Sequence, residues 1–221
     1  MRIVGFPAGI FATNCYLVSD DAGECVVVDP GQDAAPRVTA EVSEAGLRPR
    51  AVLVTHGHLD HVWNVREVAE HYRIPVYVHP DDRPLLSDPA RGLSADLAAM
   101  LGGQSFSEPD EVVEVFDGDR LEFGDLVFDV DHVPGHSRGH VSFRTVADTD
   151  EGEREVVLGG DVLFRDGVGR TDLPGGDQDV LLQSIQKKFL VLDDDAVVLP
   201  GHGPSTTVGR ERRANPFLRG L

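Results

Sequence analysis

The chain has 221 residues, 41% of them hydrophobic, two cysteines and a formal net charge of −18. That apolar content supports a real core, and no heptad pattern, repeat array or long low-complexity tail is present. The charge disfavours phosphate backbones and anionic lipid, so neither nucleic acid nor a membrane is expected as a partner, and Cys15 and Cys25, outside any CxxC pair, are expected as packed, reduced thiols.

Strand-like runs come first, at Arg2 to Val4, Asn14 to Val18 and Glu24 to Asp29. Gly5, Pro7, Gly9 and Asn14 interrupt the N-terminal apolar stretch, which lacks the basic region and cleavage site of a signal peptide. The longest apolar runs, such as Cys25-Val26-Val27-Val28, are strand-length rather than membrane-spanning. A cytoplasmic protein is expected. Asp29-Pro30-Gly31 is a turn signal. Asp33 to Ala45 has helical spacing, with Val38, Val42 and Ala45 on one face and Gly46 as the stop. Ala51 to Thr55 reads as a buried strand, Val62 to Tyr72 as a helix and Val76 to Val78 as a strand. Residues 80–110, rich in Pro, Asp, Ser and Gly, read as a lid-like insertion with a short helix from Ser94 to Leu101. Strands follow at Val112 to Phe116, Arg120 to Phe123, Leu126 to Val133, Val141 to Val146 and Glu155 to Leu158. Asp179 to Leu192 is an amphipathic helix, Ala196 to Leu199 the last strand, and a short helix begins near Thr207. Both halves mix strands and helices without strict βαβ alternation. That predicts one α/β domain over residues 1–221, a four-layer αββα sandwich.

Polar residues collect at the strand ends. Val54-Thr55-His56-Gly57-His58-Leu59-Asp60-His61 places three imidazoles and a carboxylate directly after a buried strand. Asp29 ends another strand. His136 follows Val133-Pro134-Gly135, Asp161 follows Leu158-Gly159-Gly160, and His202 follows Leu199-Pro200-Gly201. His56 and His58 are two apart on an extended segment, so both rings can point the same way. Asp60 and His61 start the next helix and point to a second position nearby. Imidazole and carboxylate ligands suit zinc, iron or manganese. The crowding makes sense if two cations sit side by side, because desolvating so many polar groups without metal is costly. A histidine-rich surface loop is the plain alternative for the first cluster alone, but it leaves the other strand ends unexplained.

In order and spacing, THGHLDH, PGHSRGH, LGGD and PGHG resemble the metallo-β-lactamase superfamily over nearly the whole chain. The resemblance implies an αββα fold with the metals at one edge. It implies that His56, His58 and His136 hold one metal, that Asp60, His61 and His202 hold the second, and that Asp161 bridges them. Asp29 would support the histidine loop from behind. Gly169-Arg170-Thr171-Asp172-Leu173-Pro174-Gly175-Gly176-Asp177, SRGH and Asn215-Pro216-Phe217-Leu218-Arg219 look like the small glyoxalase II-like (hydroxyacylglutathione hydrolase-like) enzymes. The implied function is hydrolysis of a small-molecule thioester, a small acyl group on a low-molecular-weight thiol. A hydroxide shared by two divalent cations, zinc first with iron or manganese as alternatives, would make the attack, oriented by Asp60. Glyoxalase II proper has a longer C-terminal helical region for glutathione, whereas 19 residues follow His202 here, so the thiol is held differently or is another thiol. A persulfide dioxygenase with one iron shares the fold and the GRTD sequence, and a lactonase could use the same hydroxide. Asp161 in place of cysteine argues against a true β-lactamase. Arg170 is expected to brace the loop after Asp161. Arg212, Arg213 and Arg219 are expected as solvated charges, His132 on the core face and His79 as a packed or surface residue, with His140 open between a supporting and a structural role. The substrate-binding residues and the oligomeric state stay open.

Overall fold

The computed structural model describes residues 1–94, 98–99, 104–149 and 152–221. The first sheet holds six strands in sequence order: β1 (Arg2–Ala8), β2 (Thr13–Ser19), β3 (Glu24–Val28), β4 (Arg48–Leu53), β5 (Val76–Val78) and β6 (Val112–Glu114). The second contains β7 (Arg120–Phe123), β8 (Leu126–His132), β9 (Val141–Thr149), β10 (Gly152–Gly160), β13 (Val197–Pro200) and β14 (Thr206–Thr207), in the order β14-β13-β10-β9-β8-β7. A separate hairpin pairs β11 (Leu163–Phe164) with β12 (Gly167–Val168).

Period-2 alternation explains why the valine runs are apolar throughout. Val26 and Val28 pack between the sheets with Leu53, Phe128 and Phe143. Val27 points the other way, to Val38 of helix α1 (Ala35–Ala45) and Val68 of α3 (Val65–Tyr72). On the far side, Val157 and Val198 meet Leu181 of α4 (Gln178–Ser184), with Ile185 and Phe189 from the wider turn that continues it. Three apolar layers therefore separate four layers of secondary structure, the αββα sandwich. Both cysteines are buried and unpaired. Among the described residues, no helix is long and apolar enough to cross a membrane.

Several expected elements change. The helix expected from Val62 to Tyr72 is two pieces, α2 (Leu59–Val62) and α3. Asn64 divides them: its N–H donates to Pro30 O at 2.9 Å and its Oδ1 accepts from Ala34 N–H at 3.1 Å, tying the break to the turn after β3. The β11–β12 strands, two residues each, are too short to leave a periodic signal. At the C-terminus β14 precedes α5 (Val208–Ala214), whose first turn is capped by the Thr207 hydroxyl. The helix expected from Ser94 to Leu101 falls largely outside the described residues.

The parallel pairs place the site. β3 runs parallel to β4, and β10 to β13. Their carboxyl ends therefore lie side by side, where ligands collect in open α/β sheets. Tyr16 OH and Asn14 Nδ2 reach across to Pro200 O at 2.7 and 2.9 Å and join the two sheet edges.

Candidate metal centre

Asp29 leaves β3 with φ of 49°, left-handed backbone that a non-glycine residue adopts at a cost. Three contacts offset it. Oδ1 accepts from Thr55 N–H at 2.8 Å, and Oδ2 meets Thr55 Oγ1 at 2.6 Å and His61 Nδ1 at 2.9 Å. One carboxylate thus fixes both the loop that carries His56 and the helical turn that carries Asp60 and His61.

Four imidazoles have their outer nitrogen on an acceptor. His56 Nδ1 lies 3.1 Å from Thr55 Oγ1, His61 Nδ1 rests on Asp29, His136 Nδ1 is 2.7 Å from Arg170 O, and His202 Nδ1 is 3.1 Å from Phe11 O. A proton on each outer nitrogen leaves Nε2 a lone pair facing inward, the usual arrangement behind metal-ligating histidines. His56 and His136 bring those atoms to 3.2 Å, and His58 Nδ1 lies 2.8 Å from His136 Nε2. Opposed lone pairs repel unless a cation stands among them. Tetrahedral bonds of about 2.0–2.1 Å would put donor atoms about 3.3 Å apart.

The second cluster is richer in carboxylate. Asp60 Oδ2 accepts from Thr13 Oγ1 at 2.8 Å and lies 3.1 Å from His202 Nε2 and 3.5 Å from His61 Nε2. Asp161 faces both groups: Oδ1 is 3.5 Å from His61 Nε2, while Oδ2 is 3.5 Å from His202 Nε2 and 3.7 Å from His136 Nε2. Donor atoms lie within 4.8 Å of one another in each of three sets: His56, His58 and His136; His56, His61 and Asp161; Asp60, His61 and His202. The structure thus brings together all seven donors expected from the sequence. His61 Nε2 and Asp161 Oδ1 are buried with no hydrogen-bond partner. Orphaned polar atoms of that kind are costly, and a cation between them removes the cost, so the residues fit a metal.

The electrostatics divide the same way. Burial pulls His58 down to about 3 and holds His56 and His140 well below the ordinary imidazole value, aided by neighbouring histidines. Burial also opposes charge on His61, but Asp60, Asp161 and Asp29 outweigh it and raise His61. Against its own burial, His202 is raised by Asp60 and Asp161. Below about 6.5, unfolding exposes imidazoles that take up protons the folded His56, His58 and His140 refuse, so stability falls as pH drops. His61 and His202 stabilise fully in that range and lose their contribution only as pH rises through their higher folded values. Chelator-treated protein should therefore show a urea midpoint that declines as pH falls from 6.5 toward 4. A flat midpoint over that interval contradicts the assignment.

Several supporting residues escaped the sequence reading. Asp82, in the stretch after β5, is buried and accepts from Gly57 N–H at 2.8 Å, Ser137 Oγ at 2.6 Å and Gly139 N–H at 2.7 Å. It ties the loop between His56 and His58 to the loop of His136. Asp82→Ala should leave two backbone donors unmet and lower affinity for the first cation by about 10–100-fold, as removal of outer partners does. Metal titration with a competing chelator measures this, and unchanged affinity would remove Asp82 from the support. Thr13 and Asn14 escaped too. Their signal was present, since two polar residues open a strand that is buried along its whole length. His140 supports the site: its Nε2 accepts from Asp161 N–H at 3.0 Å and its ring stacks on His56. His132 is only half-buried, at the sheet end, and not on the core face as expected. It stacks on buried His79 at 4.2 Å and donates to Arg138 O.

A cavity of about 740 Å3 opens over the donors. His58, Asp60, His136, Asp161 and His202 contribute to its floor, and Phe11, Trp63, Leu93, Phe164 and Leu173 to its walls. Arg170 lines it while forking onto Asp172 through Nε and Nη2 at 2.7 and 2.8 Å. Its carbonyl braces His136. Arg212 and Arg213 pair with Asp194, and neither they nor Arg219 line the cavity.

A family model described as the metallo-beta-lactamase superfamily matches residues 8–202. Hydroxyacylglutathione hydrolase GloC of Haemophilus influenzae is 36% identical, covering 99% of this chain and 98% of its own. Among solved structures, BLEG-1 B3 metallo-beta-lactamase is similar at a TM-score of 0.84 and 38% identity, over 99% of this chain and 100% of that one. TTHA1623 in a di-iron-bound form is similar at 0.80 and 41%, over 97% and 100%.

Proposed function

The chain belongs to the metallo-beta-lactamase superfamily and is a metallo-hydrolase, and from that premise we propose that it cleaves the thioester of a small acyl group on a low-molecular-weight thiol. The observation that carries the reading is the set of seven imidazole and carboxylate donors beneath a cavity with apolar walls. His56, His58 and His136 would hold one divalent cation and Asp60, His61 and His202 the second, with Asp161 between them; zinc leads, with iron and manganese as alternatives. Such cations would supply Lewis acidity and lower the pKa of bound water toward neutrality.

The remaining chemistry belongs to the chain. Thr13 fixes one oxygen of Asp60, whose side chain is 21% exposed, at the cavity floor. From there Asp60 takes a hydrogen bond from the attacking water and aims it at the carbonyl carbon. Trp63, Phe164 and Leu173 shield the thioester from bulk solvent. Thiols are acidic enough, near 8.5 for cysteine, to depart as thiolates, so no separate general acid is assigned. The stretch 80–110 adds Leu93 and Gln104 to the cavity, in keeping with a lid-like insertion in one domain. A small-molecule substrate in the cytoplasm suits the acidic surface, and the reading needs no nucleic acid or membrane.

The likeness to GloC favours the thioester, and the two irons of TTHA1623 favour two cations. The one-iron dioxygenase alternative leaves the contact between His202 and Asp60 without a purpose. Metal-analysed protein should be assayed on thioesters of glutathione and other thiols, on a lactone, on a β-lactam and on a persulfide with oxygen uptake. Two metals per chain with thioester cleavage is the expected result. One iron with persulfide-dependent oxygen uptake, or turnover confined to the lactone or β-lactam, overturns it.

A further inference from the structure

Among the described residues two arginines line the cavity, and they differ. Arg170 is already matched by Asp172. Arg165 has no carboxylate within 4 Å among the described residues; only its Nη2 is engaged, donating to Ser205 O at 2.7 Å. Ser205 lies three residues beyond His202, so this bond holds the guanidinium beside the second cluster.

The local fold keeps it unmatched. Arg165 and Asp166 form the two-residue turn between β11 and β12. Asp166 adopts φ of 63°, and its carboxylate is engaged by Arg210 at 2.9 Å. Its N–H donates to Glu211 Oε2 at 2.8 Å. Glu211 is fully buried and accepts from Asn215 Nδ2 at 3.0 Å, which also donates to Gly167 O at 2.9 Å. The C-terminal segment thus pins the turn and occupies its one acid. In a chain of net charge −18, the result is a cation over the cavity whose Nε and Nη1 have no hydrogen-bond partner among the described residues. A planar guanidinium presents its donors in a fork that matches a carboxylate.

We propose that Arg165 is a specificity residue that binds a carboxylate on the substrate, beside the reacting bond. This deepens the thioesterase reading and rests on it: the substrate class becomes anionic acyl-thiols. The carboxylate belongs to the thiol carrier or to the acyl group, and the test separates the two.

Metal-loaded parent, Arg165→Gln and Arg165→Lys are assayed on four thioesters. One carries a free acid on the thiol side, one on the acyl side, and each has an amide counterpart. Thioether analogues of all four are titrated calorimetrically, so that binding is read without turnover. The quantity compared is the acid-to-amide ratio of kcat/KM and of affinity. The parent should prefer one acid about tenfold or more, Arg165→Gln should bring the ratio near one, and Arg165→Lys should restore part of it. Added salt should shrink the parental ratio. A parent without preference, a preference that survives in Arg165→Gln, or an equal loss on acid and amide overturns the proposal, the last by showing a structural role. If no thioester is cleaved but the thioether ratios follow Arg165, the reaction assignment fails and anion recognition stands. If cleavage occurs without any preference, the reaction stands and this proposal fails.

Discussion

Asp60→Ala is expected to fold, to bind one cation in place of two, and to lower kcat by about 10²- to 10⁴-fold. Asp60 sits in the first turn of α2, partly open to the cavity, and its carboxylate meets Thr13, His61 and His202. Its removal takes away a carboxylate that favours the charged forms of His61 and His202, so the chelator-treated variant should be less stable than the parent below neutral pH. The site suffers far more, since His61 and His202 lose the carboxylate that draws positive charge between them, and the water loses its guide. Asp60→Asn keeps an acceptor for Thr13 without the charge, so it should retain more order than the alanine variant while still losing the second cation. Elemental analysis with steady-state kinetics decides. Two cations and parental turnover in Asp60→Ala would end the assignment of this residue.

Gly201→Ala should be nearly as damaging, although glycine offers no ligand. A Cβ there would lie 2.1 Å from Asp161 Oδ1 and 2.6 Å from His61 Cε1. The backbone cannot easily retreat, because Gly201 N–H donates to Gly160 O at 2.8 Å and Gly201 O accepts from Asn14 N–H at 2.7 Å. The collision must be absorbed by two of the seven donors. Displacing reactive groups by about 1 Å costs about 10²-fold in rate, and overpacking costs about 1–3 kcal/mol in stability. Gly203→Ala is the control: its Cβ would meet nothing within 4 Å, and its only penalty is a φ of 72°. If the two variants matched in rate and metal content, the crowding at Gly201 would be irrelevant.

Much of the candidate site was legible because Asp29, His56, His136, Asp161 and His202 each follow a strand with its own signal. The valines before Asp29, the Val54-Thr55 that leads into His56 and the glycines before Asp161 mark strand ends in any single window of sequence. Parallel pairing then aligns those ends. Asp82 was illegible because its contacts lie 25 and 55 or more residues away, and nothing local distinguishes it from the other acids of an apparently loop-like stretch. The break between α2 and α3 was hidden for a similar reason, since Asn64 bonds to Pro30 and Ala34 across the fold. The role of Arg165 depends on Arg210 reaching Asp166 from 44 residues downstream, a pairing that no spacing announces.

Two of the four outer nitrogens rest on main-chain oxygens, those of Phe11 and Arg170, while the side chains of these same residues line the cavity. Scaffold and selectivity are therefore carried by different atoms of one residue. Natural drift or a laboratory library can exchange the side chains at 11 and 170, reshaping what enters, while the carbonyls go on holding the imidazoles in register. A lineage built this way can change its diet without rebuilding its hardware.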